Sequence, residues 1–140
     1  MNISKIWRSL SITLFLSVFA ITSYSQYTLT IEIEGLRSSD GKVLLETFDG
    51  EHNRIEGYSK SIENGKCVFV IDGLNSGYYA FRYFHDENDN DDMDTNWIGM
   101  PKEGFGHSNN AKGKFGPPDF EKWVFHISSN KHFTCSPTYM

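Results

Sequence analysis

The chain predicts an all-β domain, a single sandwich of immunoglobulin or prealbumin type with about six to eight strands and one long loop. Three observations carry that prediction. Beyond the first twenty-five residues, apolar side chains alternate with polar ones and do not recur at helical spacing. The alternating runs are short and are punctuated by glycine, asparagine, aspartate and serine. No segment of ten or more residues in that part carries a helical period, so the chain has only sheets with which to cover a core. A small barrel is the alternative closure.

The first element is a leader. Lys5 and Arg8 precede an uncharged apolar stretch from Leu10 to Ile21, the layout of a signal peptide. Ser11, Thr13 and Ser17 interrupt the stretch, which falls short of the ~20 apolar residues that span a bilayer. Small residues at Ser23 and Ser25 predict cleavage between Ser25 and Gln26, with 1–25 the signal peptide and 26–140 the β-sandwich domain. No cysteine precedes Cys67, so no thiol lies at the cleavage site to take a lipid, and no stable membrane anchor is expected. The expected location is periplasmic or secreted. Loss of Lys5 and Arg8 takes the formal charge from −5 to −7. Such a chain is a poor partner for nucleic acid, whose binding rests on phosphate neutralisation.

The strands follow in order. Tyr27, Leu29, Ile31 and Ile33 fall on one side of an extended run and Thr28, Thr30, Glu32 and Glu34 on the other, a half-buried strand ended by Gly35. After a Ser-Ser-Asp-Gly turn at 38–41, Lys42 to Phe48 continues the pattern. Asn64-Gly65 reads as a tight turn into a strand over 66–71. Asp72-Gly73 and Ser76-Gly77 bracket a connection to the aromatic strand Tyr78 to Phe84. Trp123 to Ile127 and His132 to Cys135 read as a closing pair around the polar turn at 128–131.

Residues 85–122 show neither period and contain five glycines, Gly99, Gly104, Gly106, Gly113 and Gly116. A loop this long inside a compact domain is functional, disordered or tied by a ligand, and its apolar side chains speak against disorder. Trp97, Ile98, Met100, Phe105, Phe115 and Phe120 are expected to anchor it over one end of the sandwich.

The loop opens with Asp86-Glu87-Asn88-Asp89-Asn90-Asp91-Asp92-Met93-Asp94, in which six of nine side chains are carboxylates. Charges this close lie within a Debye length of ~8 Å, and a bound cation would relieve their repulsion. All-oxygen ligands select a hard ion. With Asp86 as the first position of an EF-type calcium loop, Asn88, Asn90 and Asp94 fall at the third, fifth and ninth, and Asp92 supplies its carbonyl at the seventh. Asp91 replaces the usual glycine and Trp97 the usual final glutamate, so Glu103, Asp119 or water would complete the shell. Calcium of modest affinity, ~10⁻⁴–10⁻³ M, is the expected cofactor. The alternative is an acidic, solvated turn.

The run HDENDNDDMDTNWIGMPKEGFGHSNNAKGKFGPPDFEKWVF, residues 85–125, resembles the hallmark of an uncharacterised family of exported bacterial proteins, domain of unknown function 2141. The leader, Glu34-Gly35-Leu36 and Asp72-Gly73-Leu74 fit the same family, so the resemblance covers nearly the whole chain. It implies an exported β-sandwich and no catalytic activity. Asp91 stands where the family pattern has glycine, and His107 where it has an aromatic.

Lys112 and Lys114 are expected to neutralise the acidic loop internally; the other reading presents both ammonium groups to an anionic ligand. Asn109 and Asn110 read as turn formers, with ligand-binding amides as the second reading. With Trp97, these four residues are the candidate binding loop. The five histidines match no zinc spacing, although His126 and His132 would face each other if the last two strands form a hairpin. Cys67 and Cys135 lie in strand-like segments of an exported chain, which admits one disulfide or two separately buried thiols. No Gly-x-Ser-x-Gly elbow, phosphate loop or Cys-x-x-Cys is present, and no enzyme is expected. Two functions follow. One is a binding or adhesion-type module whose long loop contacts a protein or glycan at the cell envelope. The other is a carbohydrate- or small-ligand-binding protein that stacks its ligand on Trp97, Phe105, Tyr79 or Tyr83.

Overall fold

A computed structural model describes residues 23–140, and most of the expected leader, residues 1–22, lies outside the described residues. Eight strands form two sheets. The first strand, β1 (Tyr27–Ile33), is the centre of a three-stranded sheet. It pairs antiparallel with β4 (Cys67–Leu74) and parallel with β8 (Lys131–Cys135). The second sheet runs β3 (Arg54–Ser61), β2 (Lys42–Asp49), β5 (Gly77–Asp86) and β6 (Phe105–His107), with β7 (Phe125–Ile127) on the same edge of β5 as β6. Among the described residues, no helix is long and apolar enough to cross a membrane.

Alternation explains the packing. Leu29, Ile31 and Ile33 meet Val43, Leu45, Phe81 and Tyr83 across the sandwich, and Phe69, Ile71, Phe125 and Ile127 close its sides. A second, smaller cluster lies on the outer face of the second sheet. There Trp123 packs on Phe48 and Ala80, with Phe120 and Val124 beside it. Thr47 and Phe48 are both buried because they face opposite sides of the sheet, Thr47 on the side of Val43 and Leu45 and Phe48 in this outer cluster; the register shift beside them leaves its extra residue, Ile55, on the edge strand β3.

The turn at Asn64-Gly65 forms as its residues require, with both φ values positive (51° and 69°) and Glu63 bridged to Lys66. Three features differ from the sequence reading. Strand β3 carries no alternation because it is an edge strand solvated on most of both faces. The last two strands do not form a hairpin. β7 joins β5 in one sheet and β8 joins β1 in the other, which separates His126 from His132.

The third correction concerns the disulfide, since Cys67 and Cys135 are free thiols. Both pair with Ile33, from opposite sides of β1. Two strand spacings put their Cα atoms about 9.5 Å apart, beyond the ~4.4–6.8 Å that a disulfide spans. Burial pushes the thiols up to about 11 and about 12, so both stay protonated and inert at neutral pH.

Candidate functional site

Everything in the long loop is referred to the end of β5. Its alternation turns Phe81, Tyr83 and His85 inward, and Asp86 follows, fully buried opposite Lys42 of β2. Gly41 makes the approach possible. It lies at φ 64°, and a Cβ there would overlap the Asp86 carbonyl.

Asp86 holds the acidic arm by its backbone. Its two carboxylate oxygens accept the N–H groups of Asn90 at 3.0 Å and Asp91 at 2.9 Å. The turn they close places Asp89 and Asp91 at φ 60° and 66°, conformations that aspartate tolerates better than most residues. This geometry points both carboxylates at Lys42, whose Nζ lies 2.6 Å from Asp89, 2.7 Å from Asp91 and 3.8 Å from Asp86. Hydrogen bonds to Asp89 and then Asp91 raise the Lys42 ammonium well above its ordinary value. Buried Glu103 does for the other end what Asp86 does for the first, accepting the N–H groups of Glu87 at 2.8 Å and Asp94 at 3.1 Å.

The five expected calcium ligands therefore divide. Asn88 and Asn90 donate their amides to the two oxygens of Asp94, at 2.6 and 3.1 Å, so these three side chains converge. Asp86 faces inward with both oxygens committed to backbone donors, and Asp92 is exposed. Glu103 belongs to the loop, whereas Asp119 lies with Lys122, 2.8 Å away. Among the described residues no group of three or more His, Cys, Asp or Glu side chains is placed to hold a metal ion. Sequence reading passed over Lys42, whose contact with the loop follows only from the β2–β5 register.

The backbone N–H of His85 donates to the Gly104 carbonyl at 2.7 Å, while its ring finds its hydrogen-bond partners outside the loop. Its Nε2–H donates to the Asp40 carbonyl at 2.8 Å, which leaves Nδ1 to accept the Tyr139 hydroxyl at 2.9 Å. Tyr139 also accepts the Arg37 N–H, and Arg37 lies over its ring, 4.5 Å from the centroid. Arg37 grips Glu87 through two hydrogen bonds of 2.6 Å, which hold that carboxylate below its usual range. Gly104 admits the clasp, because any Cβ there would overlap the Tyr139 ring.

The second arm, residues 95–118, behaves otherwise. Thr95 bridges Pro101, and the Asn96 side chain accepts the N–H groups of Ile98 and Met100, each at 3.0 Å. This ordered turn carries Trp97 at its tip, 94 % exposed. Ile98, Met100 and Phe115 are exposed too, where the sequence reading expected anchors; Phe105 and Phe120 alone are partly buried. Asn109 and Asn110 have φ values of 60° and 49° and donate their amides to the carbonyls of Lys122, Val124 and Thr134. Both hold turns, and Asn110 also lines the cleft beside this arm. Lys112 and Lys114 form no ion pair among the described residues, since Lys42 has taken the role expected of them.

Between this arm and the outer face of the second sheet lies a cleft of about 860 Å³. Leu44, Arg82 and Phe84 form its sheet side, and Ile98, Met100, Phe115, Lys112, Lys114 and Met140 its rim. Tyr83, between Arg82 and Phe84, turns away from the cleft into the core, where its hydroxyl is buried without a protein partner and burial raises its pKa. His107, also on the cleft, meets Trp123 edge to face at 4.7 Å. Burial first and Arg82 second lower it to about 4, so it is neutral near pH 7. Ser108 ties the arm to β5 by accepting the Phe81 N–H at 3.0 Å and donating to the Trp123 carbonyl. Of the four aromatics proposed for stacking, Tyr83 is buried in the core and Tyr79 packs against it, which leaves Trp97 free and Phe105 on the cleft.

No curated protein and no solved structure matches the chain. The model of one family, described as uncharacterized protein conserved in bacteria (DUF2141), matches residues 31–134. That span runs from the middle of β1 into β8 and takes in both arms of the loop and most of the residues that line the cleft, and the chain belongs to this family.

Proposed function

We propose that the protein is an exported, non-catalytic binding module that meets its partner at the cell envelope through the rim of this cleft. One observation carries the reading. The core is complete without Trp97, Ile98, Met100, Phe115 and Met140, yet all five are exposed, and all but Trp97, which adjoins Ile98, border the same opening. Solvated apolar side chains gathered around a concavity favour a contact surface. Export rests on the leader and on its junction with the fold. Ser23 to Gln26 are exposed and outside any element, and β1 begins at Tyr27, where a signal peptidase would leave the chain intact.

A photoactivatable phenylalanine analogue in place of Trp97 or Phe115, introduced into exporting cells, tests the reading. Adducts should form from both positions and not from Ile55, an exposed apolar residue on the edge strand β3. Equal yields from all three sites would defeat it. The small-ligand reading draws on Phe105 and Arg82 in the cleft and on exposed Trp97, and retention of a defined glycan on an array by the protein alone would favour it.

Calcium enters as a competitor of Lys42 for Asp89 and Asp91, and the convergence of Asn88, Asn90 and Asp94 in the same arm is its further support. Bound only to the folded state, calcium at about 100 times its Kd would add roughly 2.7 kcal/mol. Melts with chelator and with calcium should differ little for the wild type and clearly for Lys42→Met. A Lys42→Met protein indifferent to calcium would remove the ion from the account.

A further inference from the structure

Backbone groups at the sheet edges are in several places met from elsewhere in the chain. On β4, Lys60 Nζ covers the Val68 carbonyl at 2.6 Å, and Glu63 is bridged to Lys66. On β8 the Asn110 amide reaches the Thr134 carbonyl, and on β6 Thr138 is bridged to Phe105. The outer edge of β3 differs. Gly57 donates its N–H at 3.3 Å to the carboxylate of Glu56, its own neighbour, so this N–H points away from β2. Inward and outward residues alternate along an antiparallel strand, so Ser59 likewise presents its N–H and C=O to water. Neither residue is covered by another element among the described residues. The register of β3 is regular from Glu56 to Ser61, and the strand contains no proline, so nothing in it blocks a further strand.

We propose that this edge receives the same edge of a second copy of the chain, antiparallel, about a two-fold axis through Tyr58. Outward groups meet outward groups only when the axis passes through a residue and not between two. Charge then selects the residue. With the axis on Tyr58, Glu56 of each copy lies opposite Lys60 of the other, and Gly57 pairs with Ser59. Moved to Gly57, the axis sets Lys60 opposite Arg54, a pair of like charges. Moved to Ser59, it sets Glu56 opposite Ile62 and leaves both charges without a partner. Glu56 and Lys60 are exposed and take part in no ion pair among the described residues. Glu56, Tyr58 and Lys60 pair with Thr47, Leu45 and Val43, so they stand on the core side of the sheet. Tyr58 already packs on the core, and two such rings meeting at the axis extend that packing across the junction.

Only one strand of each copy takes part, which places the contact at the small end of specific interfaces and makes association reversible and dependent on concentration. Dilute copies keep the edge free, so Ile55 remains a fit control for crosslinking at the rim in cells. No residue of β3 lines the cleft, and the pairing stands independently of the rim's partner.

Sedimentation of the wild type at rising concentration, from micromolar to millimolar, should show a monomer–dimer equilibrium. Glu56→Lys and Lys60→Glu should each weaken association about tenfold, because two attractive cross-strand pairs become repulsive. An equimolar mixture of the two variants should regain it, since each then faces the opposite charge. Equal melting temperatures at dilution would tie these changes to the junction. Tyr58→Cys fixes the register. Opposed Cα atoms in a pair without hydrogen bonds lie about 4.5 Å apart, within disulfide reach, so mild oxidation should link two copies at this position. Ser59→Cys lies offset from its own mate and should not link, and the native Cys67 and Cys135 are buried and do not compete. A wild type that stays monomeric at every concentration overturns the proposal. So do charge variants that associate like the wild type or fail to regain association on mixing, and linkage through Ser59→Cys in place of Tyr58→Cys.

Discussion

Residues 86–94 and residues 95–118 leave the same sheet edge in one excursion, yet the first arm satisfies itself and the second does not. In the acidic arm, Asp86 and Glu103 each take two backbone N–H groups, and Lys42 lies between Asp89 and Asp91. In the apolar arm, the backbone is equally well tied, by Asn96, Ser108 and Asn109, but Trp97, Ile98 and Phe115 face water. Charge density is thus a poor guide to which part of the loop is open for business with another molecule. The register sets one lysine, Lys42, among the six carboxylates of this arm, a partner that charge counting along the chain does not show.

The largest effect should come from the seat of the acidic arm. Gly41→Ala combines a left-handed φ with a Cβ set against the backbone of Asp86, which cannot rotate away. The expected loss is about 2–3 kcal/mol, or roughly 10 °C in melting temperature for a domain of this size. Calorimetry showing a loss below about 0.5 kcal/mol would mean that the arm is not held against the 38–41 turn as described.

A smaller effect, and one confined to a pH window, belongs to the base of the apolar arm. His107 titrates at about 4 when folded and near 6.5 when free, so the unfolded chain binds the extra proton first. Its contribution is complete above pH 6.5 and disappears as the pH falls toward 4. His107→Phe keeps an aromatic edge against Trp123 and has nothing to protonate. Urea melts across that range should therefore show a shallower acid decline for the variant. Parallel declines would show that His107 is already free to charge in the folded protein.

The smallest expected effect is none. Reductant should leave the melting temperature unchanged, and Cys67 and Cys135 should resist alkylation until the protein unfolds, since both are buried on opposite sides of Ile33. A mass shift of two hydrogens between oxidised and reduced native protein would require a different β1 pairing.

What was legible in the sequence follows from where each signal is generated. Alternation in Tyr27–Ile33 and the Asn64-Gly65 turn are local consequences of one buried face and of positive φ, and both survive into the fold. Strand β3 was not legible because pairing alone, without burial, holds most of it. The crossing of β7 and β8 into different sheets was hidden because a polar turn of a few residues serves a hairpin and a crossover equally well. In the site, the asparagine turns were legible from residue type, whereas Lys42 and the Tyr139 clasp on His85 depend on pairings distant in sequence. The exposed apolar tips were misread because composition counts an apolar side chain and does not say which way a capped turn will carry it.

The most direct test sets the two arms side by side in one denaturant titration, comparing Asp86→Asn with Trp97→Ser/Phe115→Ser. Asp86→Asn keeps the size but replaces one oxygen by an amide that cannot accept, and it leaves a part-buried N–H of the turn unpartnered and Lys42 without one of its carboxylates. The account predicts a loss of roughly 2–3 kcal/mol for that variant and a change within about 0.5 kcal/mol for the aromatic double replacement. An aromatic double replacement that costs as much as Asp86→Asn would show that the apolar arm is packed after all, and would contradict the division on which the binding surface rests.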